Sequence, residues 1–152
     1  MEVLRGSEEH IEVCLSIATE LGQYFTDEAI ATISEDLRKH PLYVALDSDE
    51  VVGFANIQAK GTEVAEILWI AVKLARQQGR IGSALIDRIA HDLRAQGIRL
   101  LEVKTLSEDV DYPPYEATRR FYENMGFMHL ETIDPYPGWE PGSPCAIYVK
   151  IL

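Results

Sequence analysis

The chain has 152 residues, 47% of them hydrophobic and 26% charged, and carries a net charge of −11. That length suits one domain with a core of its own, and the acidity argues against nucleic acid as the main partner, because phosphate recognition needs clustered Lys and Arg. Two distant cysteines, Cys14 and Cys145, fit no metal or redox spacing, and no apolar run approaches the ~20 residues of a membrane helix, so a reduced, cytoplasmic, non-membrane protein is expected.

"MEVLRG" predicts a first strand. Ser7, followed by Glu8 and Glu9, opens a helix whose apolar face holds Ile11, Leu15, Ala18 and Leu21, and Gly22 weakens its end. A second helix, "TDEAIATISEDLRKH", is capped by Thr26, turns Ile30, Ile33 and Leu37 inward, and stops at Pro41. "LYVALDSDEVVGFANIQAK" reads as a hairpin with "DSDE" as its turn. "TEVAEILWIAV" is apolar enough to be a central strand. A loop containing Gly79 and Gly82 leads into a helix from about Ile81 to Gln96, with Ile81, Leu85, Ile89 and Leu93 on one face and Gly97 as its stop. "RLLEVKTL" is the next strand, "SEDVDYPP" an acidic loop, and "PYEATRRFYENMG" a helix ended by Gly126. "FMHLETI" and "PCAIYVKIL" are closing strands joined by "DPYPGWEPGS". Meandering strands followed by α/β units predict an α/β chain with a mixed sheet and helices on both faces. No linker or repeat divides residues 1–152, so a single domain is expected.

Residues 73–99 hold six Lys and Arg against Asp87 and Asp92, an island of +4 in a chain otherwise at −15. The island surrounds the glycine loop. Free backbone N–H groups at a helix start, together with the helix dipole, favour a phosphate, although two glycines before a helix also make a plain turn. No Gly-Lys-Ser/Thr follows, which excludes a Walker loop, and the dinucleotide fingerprint Gly-x-Gly-x-x-Gly is absent. Glu66 is a lone carboxylate in an apolar strand; it points to solvent, pairs with a cation of a neighbouring strand, or serves chemistry. Glu108, Asp109 and Asp111 make either a solvated loop or a site that steers an amine. The four histidines are scattered, and neither they nor Ser83 have partners for a metal site or a nucleophilic triad.

Three segments in order, "AEILWIAV", "QQGRIGSAL" and "TRRFYENMGF", resemble the GNAT superfamily of acyl-CoA-dependent N-acetyltransferases over roughly residues 41–152. Gln77 and Gly82 match the ends of the family's Gln/Arg-x-x-Gly-x-Gly/Ala loop, and Tyr122, Gly126 and Phe127 match its Tyr-x-x-x-Gly-Phe pattern. The resemblance implies a mixed, mostly antiparallel sheet of about seven strands flanked by helices. It implies acetyl-CoA as co-substrate without a metal, the pyrophosphate lying on Gln77, Gln78, Gly79, Arg80, Ile81, Gly82 and Ser83. Pantetheine would run along Ile70, Ala71 and Val72, with Ala71 or Val72 donating to the thioester oxygen.

Two departures stand out. Arg80 occupies the place of the family's first glycine and is expected to take helical φ while its guanidinium meets a phosphate. Tyr115 replaces an asparagine that many members direct at pantetheine. The acceptor must lose a proton: an amine of pKa ~10.4 costs ~4 kcal/mol to deprotonate at neutral pH. "AEI" resembles the histone-acetyltransferase branch, which implies Glu66 as general base, and Tyr122 is implied as the acid beside the leaving sulfur. The expected reaction is direct attack by a primary amine, with both cysteines outside the site. "FTDE" and the two tryptophans, Trp69 and Trp139, are candidate walls of the acceptor mouth, Trp69 being equally a core residue. An acyl-CoA-binding module without turnover is the alternative. The apolar "CAIYVKIL" is expected to offer an edge for dimer pairing.

Overall fold

Thr26 starts the second helix as its chemistry requires: its hydroxyl accepts the N–H of Ala29 at 3.1 Å. The computed structural model, which describes residues Met1–Leu152, follows this local logic through most of the chain. The elements are β1 (Glu2–Arg5), α1 (Ile11–Glu20), α2 (Asp27–Lys39), β2 (Leu42–Asp47), β3 (Glu50–Ala59), β4 (Val64–Val72), α3 (Ile81–Ala95), β5 (Leu100–Leu106), α4 (Pro113–Asn124), β6 (Met128–Ile133) and β7 (Cys145–Ile151), with short 3-10 turns at Glu8–His10 and Leu74–Arg76. Ser7 opens the first of these turns, so α1 begins later than expected. Its buried face is Ile11, Cys14, Ile17, Ala18 and Leu21, leaving Leu15 at the margin. The β2–β3 turn places Ser48 and Asp49 at φ 51° and 67°, the pair of left-handed residues that a two-residue hairpin prefers.

All seven strands form one sheet in the order β1-β2-β3-β4-β5-β7-β6. Every pairing is antiparallel except β4 with β5. That exception governs the site. β4 pairs with β5 only from Val64–Ile67 against Leu100–Val103, yet β4 continues to Val72 and β5 to Leu106. The two strands therefore part and leave a slot. On its other edge β4 stays with β3 to Val72, with one irregularity: Asn56 faces Trp69 and the next residue, Ile57, faces Ile67. Leu68 is thus an extra residue, a bulge that bends β4 where the slot begins.

α3 and α4 cover one face, packing Leu85, Ile86, Ile89 and Tyr122 on Ile57, Ile67, Leu101 and Val103. α1 and α2 cover the other face over β2–β4, where Cys14, Ile17, Ile33, Leu37 and Phe54 meet. Beyond β4 this second face is closed only by the segment before β7, whose Tyr136 and Trp139 rest on Cys145, Ile147 and Val149. No helix is long and apolar enough to cross a membrane. β7 lies between β5 and β6, so both of its edges are used and it cannot pair across a dimer. The free edges belong to β1 and β6. Chain order could not reveal this, because the last strand inserts inside its predecessor.

Candidate active site

The slot has an exposed backbone wall. Lys73 N–H donates to the Val52 carbonyl at 2.9 Å, so by alternation the amides of Ala71 and Trp69 also turn toward β3. Those of Ile70 and Val72 turn away from β3, into the slot. Of the expected donors to a thioester oxygen, Val72 is correctly aimed and Ala71 is not; its N–H is spent on the sheet. The side-chain amide of Gln77 reaches the Val72 carbonyl at 3.3 Å and closes this end of the wall.

The loop after β4 delivers α3 with its first turn open. Arg80 is the residue before the helix, and no side chain caps it. The first helical bond runs from Ala84 N–H to the Arg80 carbonyl, which leaves the amides of Ile81, Gly82 and Ser83 without helical partners. Arg80 sits at φ 64°, ψ 14°, in the left-handed region, and not at the expected helical φ. The loop's tight reversal sets this angle whatever the residue, and a non-glycine residue there costs roughly 1–2 kcal/mol. Gln78 is left-handed too, at φ 70°. Gly82 serves packing: a Cβ there would lie 3.0 Å from the Phe121 ring, so the glycine lets α4 approach α3. Ile81 is core, 3% exposed.

Half of the positive island is taken up by partners outside it. Lys73 pairs with Glu50, Arg76 with Asp47, and Arg99 with Glu63 at 3.4 Å, while Arg88 holds Asp92 at 3.1 Å within its own helix. These contacts hold the Asp47 and Glu50 carboxyls below their usual range, chiefly through the hydrogen bonds from Arg76 and Lys73. Arg80 has no ion pair. It is exposed and free at the uncapped helix start.

Below the parting of the strands, on the α1–α2 face, Glu66 and Glu102 stand side by side in register. Two like charges so placed need cations. Lys104 supplies one, its Nζ 3.1 Å from the Glu66 carboxylate; Lys60 supplies the other, 2.8 Å from Glu102 and 3.6 Å from Glu66. The Glu66 side chain is only 8% exposed. Burial works against the Lys104 charge, but hydrogen bonds to Tyr136 and Glu66 outweigh it, so the ammonium titrates well above the usual lysine range. Lys104 is a fixed cation. Glu66 thus takes the cation-paired arrangement that its strand position permits.

Tyr122 lies on the α3–α4 face, 4% exposed. Burial, with a smaller contribution from Tyr115, pushes its phenol above the usual value. Its hydroxyl has no hydrogen-bond partner within the protein. Tyr115 is committed elsewhere: its hydroxyl donates to the Tyr24 carbonyl at 3.0 Å, and burial raises its pKa to about 12. Tyr24 donates to the Pro114 carbonyl and Tyr112 to that of Gln23, so the α1–α2 loop is laced to the start of α4. Phe25 of "FTDE" stacks edge-on against Trp69, whose indole N–H donates to Asp36 at 2.7 Å. Trp69 thus packs at the margin of the α1–α2 core. Trp139 packs against the β7 face with Tyr136.

Glu108 and Asp111 do not gather around Glu66. They line an open groove of about 550 Å³ with Glu116, Arg119, Arg120 and Glu123 of α4. The Asp109 backbone N–H donates to the Ser107 hydroxyl at 3.1 Å. Lys104 and Lys60 were not anticipated from sequence. Their signal was only a cation at alternate position in the strand beside Glu66, which becomes meaningful once the register is known.

The profile of the family described as "Acetyltransferase (GNAT) domain" matches residues 38–129, more than half of the chain. No curated protein matches it. Among solved structures, a GNAT-family protein from Desulfovibrio desulfuricans superposes with a TM-score of 0.86 at 25% identity, covering 99% of this chain and 98% of that one. An aminoglycoside 6'-N-acetyltransferase in complex with coenzyme A gives 0.74 at 17% identity, covering 99% and 97%. The ribosomal-protein-S18-alanine N-acetyltransferase of Escherichia coli gives 0.79 at 16% identity, covering 99% and 92%.

Proposed function

The chain belongs to the GNAT family of acetyltransferases, and we propose that it transfers the acetyl group of acetyl-CoA to a primary amine by direct attack, with both substrates bound at once. The observation that carries this reading is the slot between β4 and β5, whose free backbone edge runs directly into the uncapped start of α3. An extended chain bearing amides at one end and phosphates at the other fits that sequence of groups. Its amide nearer the phosphates meets Val72. Its pyrophosphate meets the amides of residues 81–83 and the free guanidinium of Arg80.

The amine nitrogen forms a bond to the thioester carbon, and the carbon–sulfur bond breaks. The slot-facing N–H of Ile70, nearer the parting of the strands and Glu66, steadies the oxygen that gains charge. The departing sulfur takes a proton from Tyr122, whose raised pKa keeps the phenol protonated at neutral pH. The proton of the incoming ammonium goes to Glu66. Glu66 sits at the last paired stretch before the slot and on the face opposite Tyr122, so acid and base approach the reaction centre from opposite sides. Its two lysine partners must share the carboxylate with the entering amine. The second reading rests on that pairing: Glu66 orders the charge network, and the ammonium releases its proton to water.

The test is release of CoA thiol from acetyl-CoA over a panel of polyamines, aminoglycosides, amino acids and peptides with free N-termini. Turnover on one class supports the reading. Saturable acetyl-CoA binding with no turnover on any of them points to an acyl-CoA-binding module. The net charge of −11 favours a cationic acceptor.

A further inference from the structure

Glu66, Glu102, Lys60 and Lys104 form a set whose two carboxylates and two ammoniums sum to zero. The Glu66 and Glu102 side chains are only 8% and 12% exposed. A cationic acceptor brought to Glu66 adds one positive charge to this set. An unbalanced charge among buried groups is strongly disfavoured, so the entry of one ammonium calls for the exit of another.

The two lysines are not equally able to leave. Lys104 stands within β5, its side chain 18% exposed and its Nζ 3.1 Å from Glu66. The same Nζ lies 5.3 Å from the centre of the Tyr136 ring, and Tyr136 is itself packed on Cys145, Ile147 and Val149 of β7. Lys104 is therefore roofed. Lys60 follows the last residue of β3, where residues 59–63 are all exposed. Its side chain is 41% exposed, and its ammonium has no partners but the two carboxylates, at 2.8 Å from Glu102 and 3.6 Å from Glu66. A lysine at the water's edge, on a flexible four-carbon stem, loses little by turning its head into solvent.

We propose that Lys60 is an exchangeable counter-ion that sets the acceptor affinity. It neutralises Glu66 and Glu102 in the empty protein and swings out when the acceptor ammonium takes its place. Lys104 stays. The acceptor thus competes with a tethered ammonium of this chain, and the set remains neutral before and after the exchange. The inference rests on Glu66 being the carboxylate that meets the acceptor.

Release of CoA thiol is measured at saturating acetyl-CoA over the panel of polyamines, aminoglycosides, amino acids and peptides. For each amine that turns over, Lys60→Met should lower its KM by roughly 3–10-fold, with a smaller change in kcat. Lys60→Arg keeps the charge and adds donors for Glu102, so the acceptor KM should be as high as in the original or higher. Lys104→Met should lower Tm and give no fall in KM. An acceptor KM that is unchanged or raised in Lys60→Met would overturn the inference while leaving the functional reading intact. So would an equal fall in Lys104→Met, since the loss of any positive charge would then suffice. If no amine turns over, the functional reading itself fails, and labelling of the native chain with N-hydroxysuccinimidyl acetate still decides whether Lys60 leaves its partners. Mass spectrometry should then find Lys60 acetylated at least about tenfold faster than Lys104; equal rates would show that it does not swing out.

Discussion

At the parting of β4 and β5 the two faces of the sheet are built on opposite rules. The α3–α4 face is apolar and carries Tyr122, packed in one cluster with Tyr43 and Tyr148. The α1–α2 face, one residue away along the same strand, carries Glu66, Glu102, Lys60 and Lys104 in a closed set of pairs. Burial disfavours the charged phenolate and holds the proton on Tyr122. The buried carboxylates of the other face are instead each met by a lysine. The difference teaches that one sheet can keep a buried phenol and a paired carboxylate at the edge of a common slot by giving each face its own surroundings.

The comparison breaks most readily at Glu66. Glu66→Gln should lower kcat by about 10²–10⁴-fold, the usual range for a lost general base, and lower Tm because Lys104 is left without its counter-charge. Adding Lys104→Met should restore Tm without restoring turnover. If Glu66→Gln alone keeps its kcat and its pH profile, the charged face is structural and the ammonium proton leaves through water. On the other face, Tyr122→Phe should lower kcat by about 10–10³-fold with little change in acetyl-CoA affinity. Because the phenol is raised above its ordinary value near 10, the unaltered enzyme should show no alkaline loss of kcat assignable to this tyrosine below about pH 10. A tyrosine-dependent limb near pH 8 would contradict the dry environment.

A smaller effect is expected where both faces end, at the α3 start. Arg80→Ala should raise the Kd for acetyl-CoA by roughly 3–10-fold, more at low salt than at high. Arg80→Gly should lose affinity similarly while gaining up to about 1 kcal/mol of stability, since glycine accepts φ 64° without strain. Equal affinity in both variants and the unaltered chain would make Arg80 merely tolerated. The smallest change concerns the thiols. Burial raises Cys14 to about 12 and Cys145 to about 11. Neither should react with a disulfide reagent at pH 8 until the chain unfolds, and fast labelling of native protein would show that one face opens.

Much of this was legible in the residues. Thr26, the four-residue spacing of Ile81, Leu85, Ile89 and Leu93, and the glycines ending α3 and α4 are local signals, and the local elements obey them. What stayed hidden depends on partners distant in sequence. The Leu68 bulge exists only relative to β3, and it decides that Ile70 and Val72 face the slot. Lys104 meets Glu66 only through the β4–β5 register, and Arg76 meets Asp47 only once the hairpin folds against the loop. Arg80 misled for another reason. The residue type favours ordinary helical angles, but the geometry of the turn overrides side-chain preference, and nothing in the letter R reports the turn.

The lacing of Tyr24, Tyr112 and Tyr115 has a consequence for the order in which the molecule can be assembled. Each of the three bonds joins residues about ninety positions apart. A growing chain that has completed β4 possesses the bulged strand and the α1–α2 loop but nothing to tie that loop to. The mouth takes its final shape only after residues 112–115 have been made and α4 has docked. The α1–α2 loop, made early, thus waits on the start of α4, made late, before it is tied down.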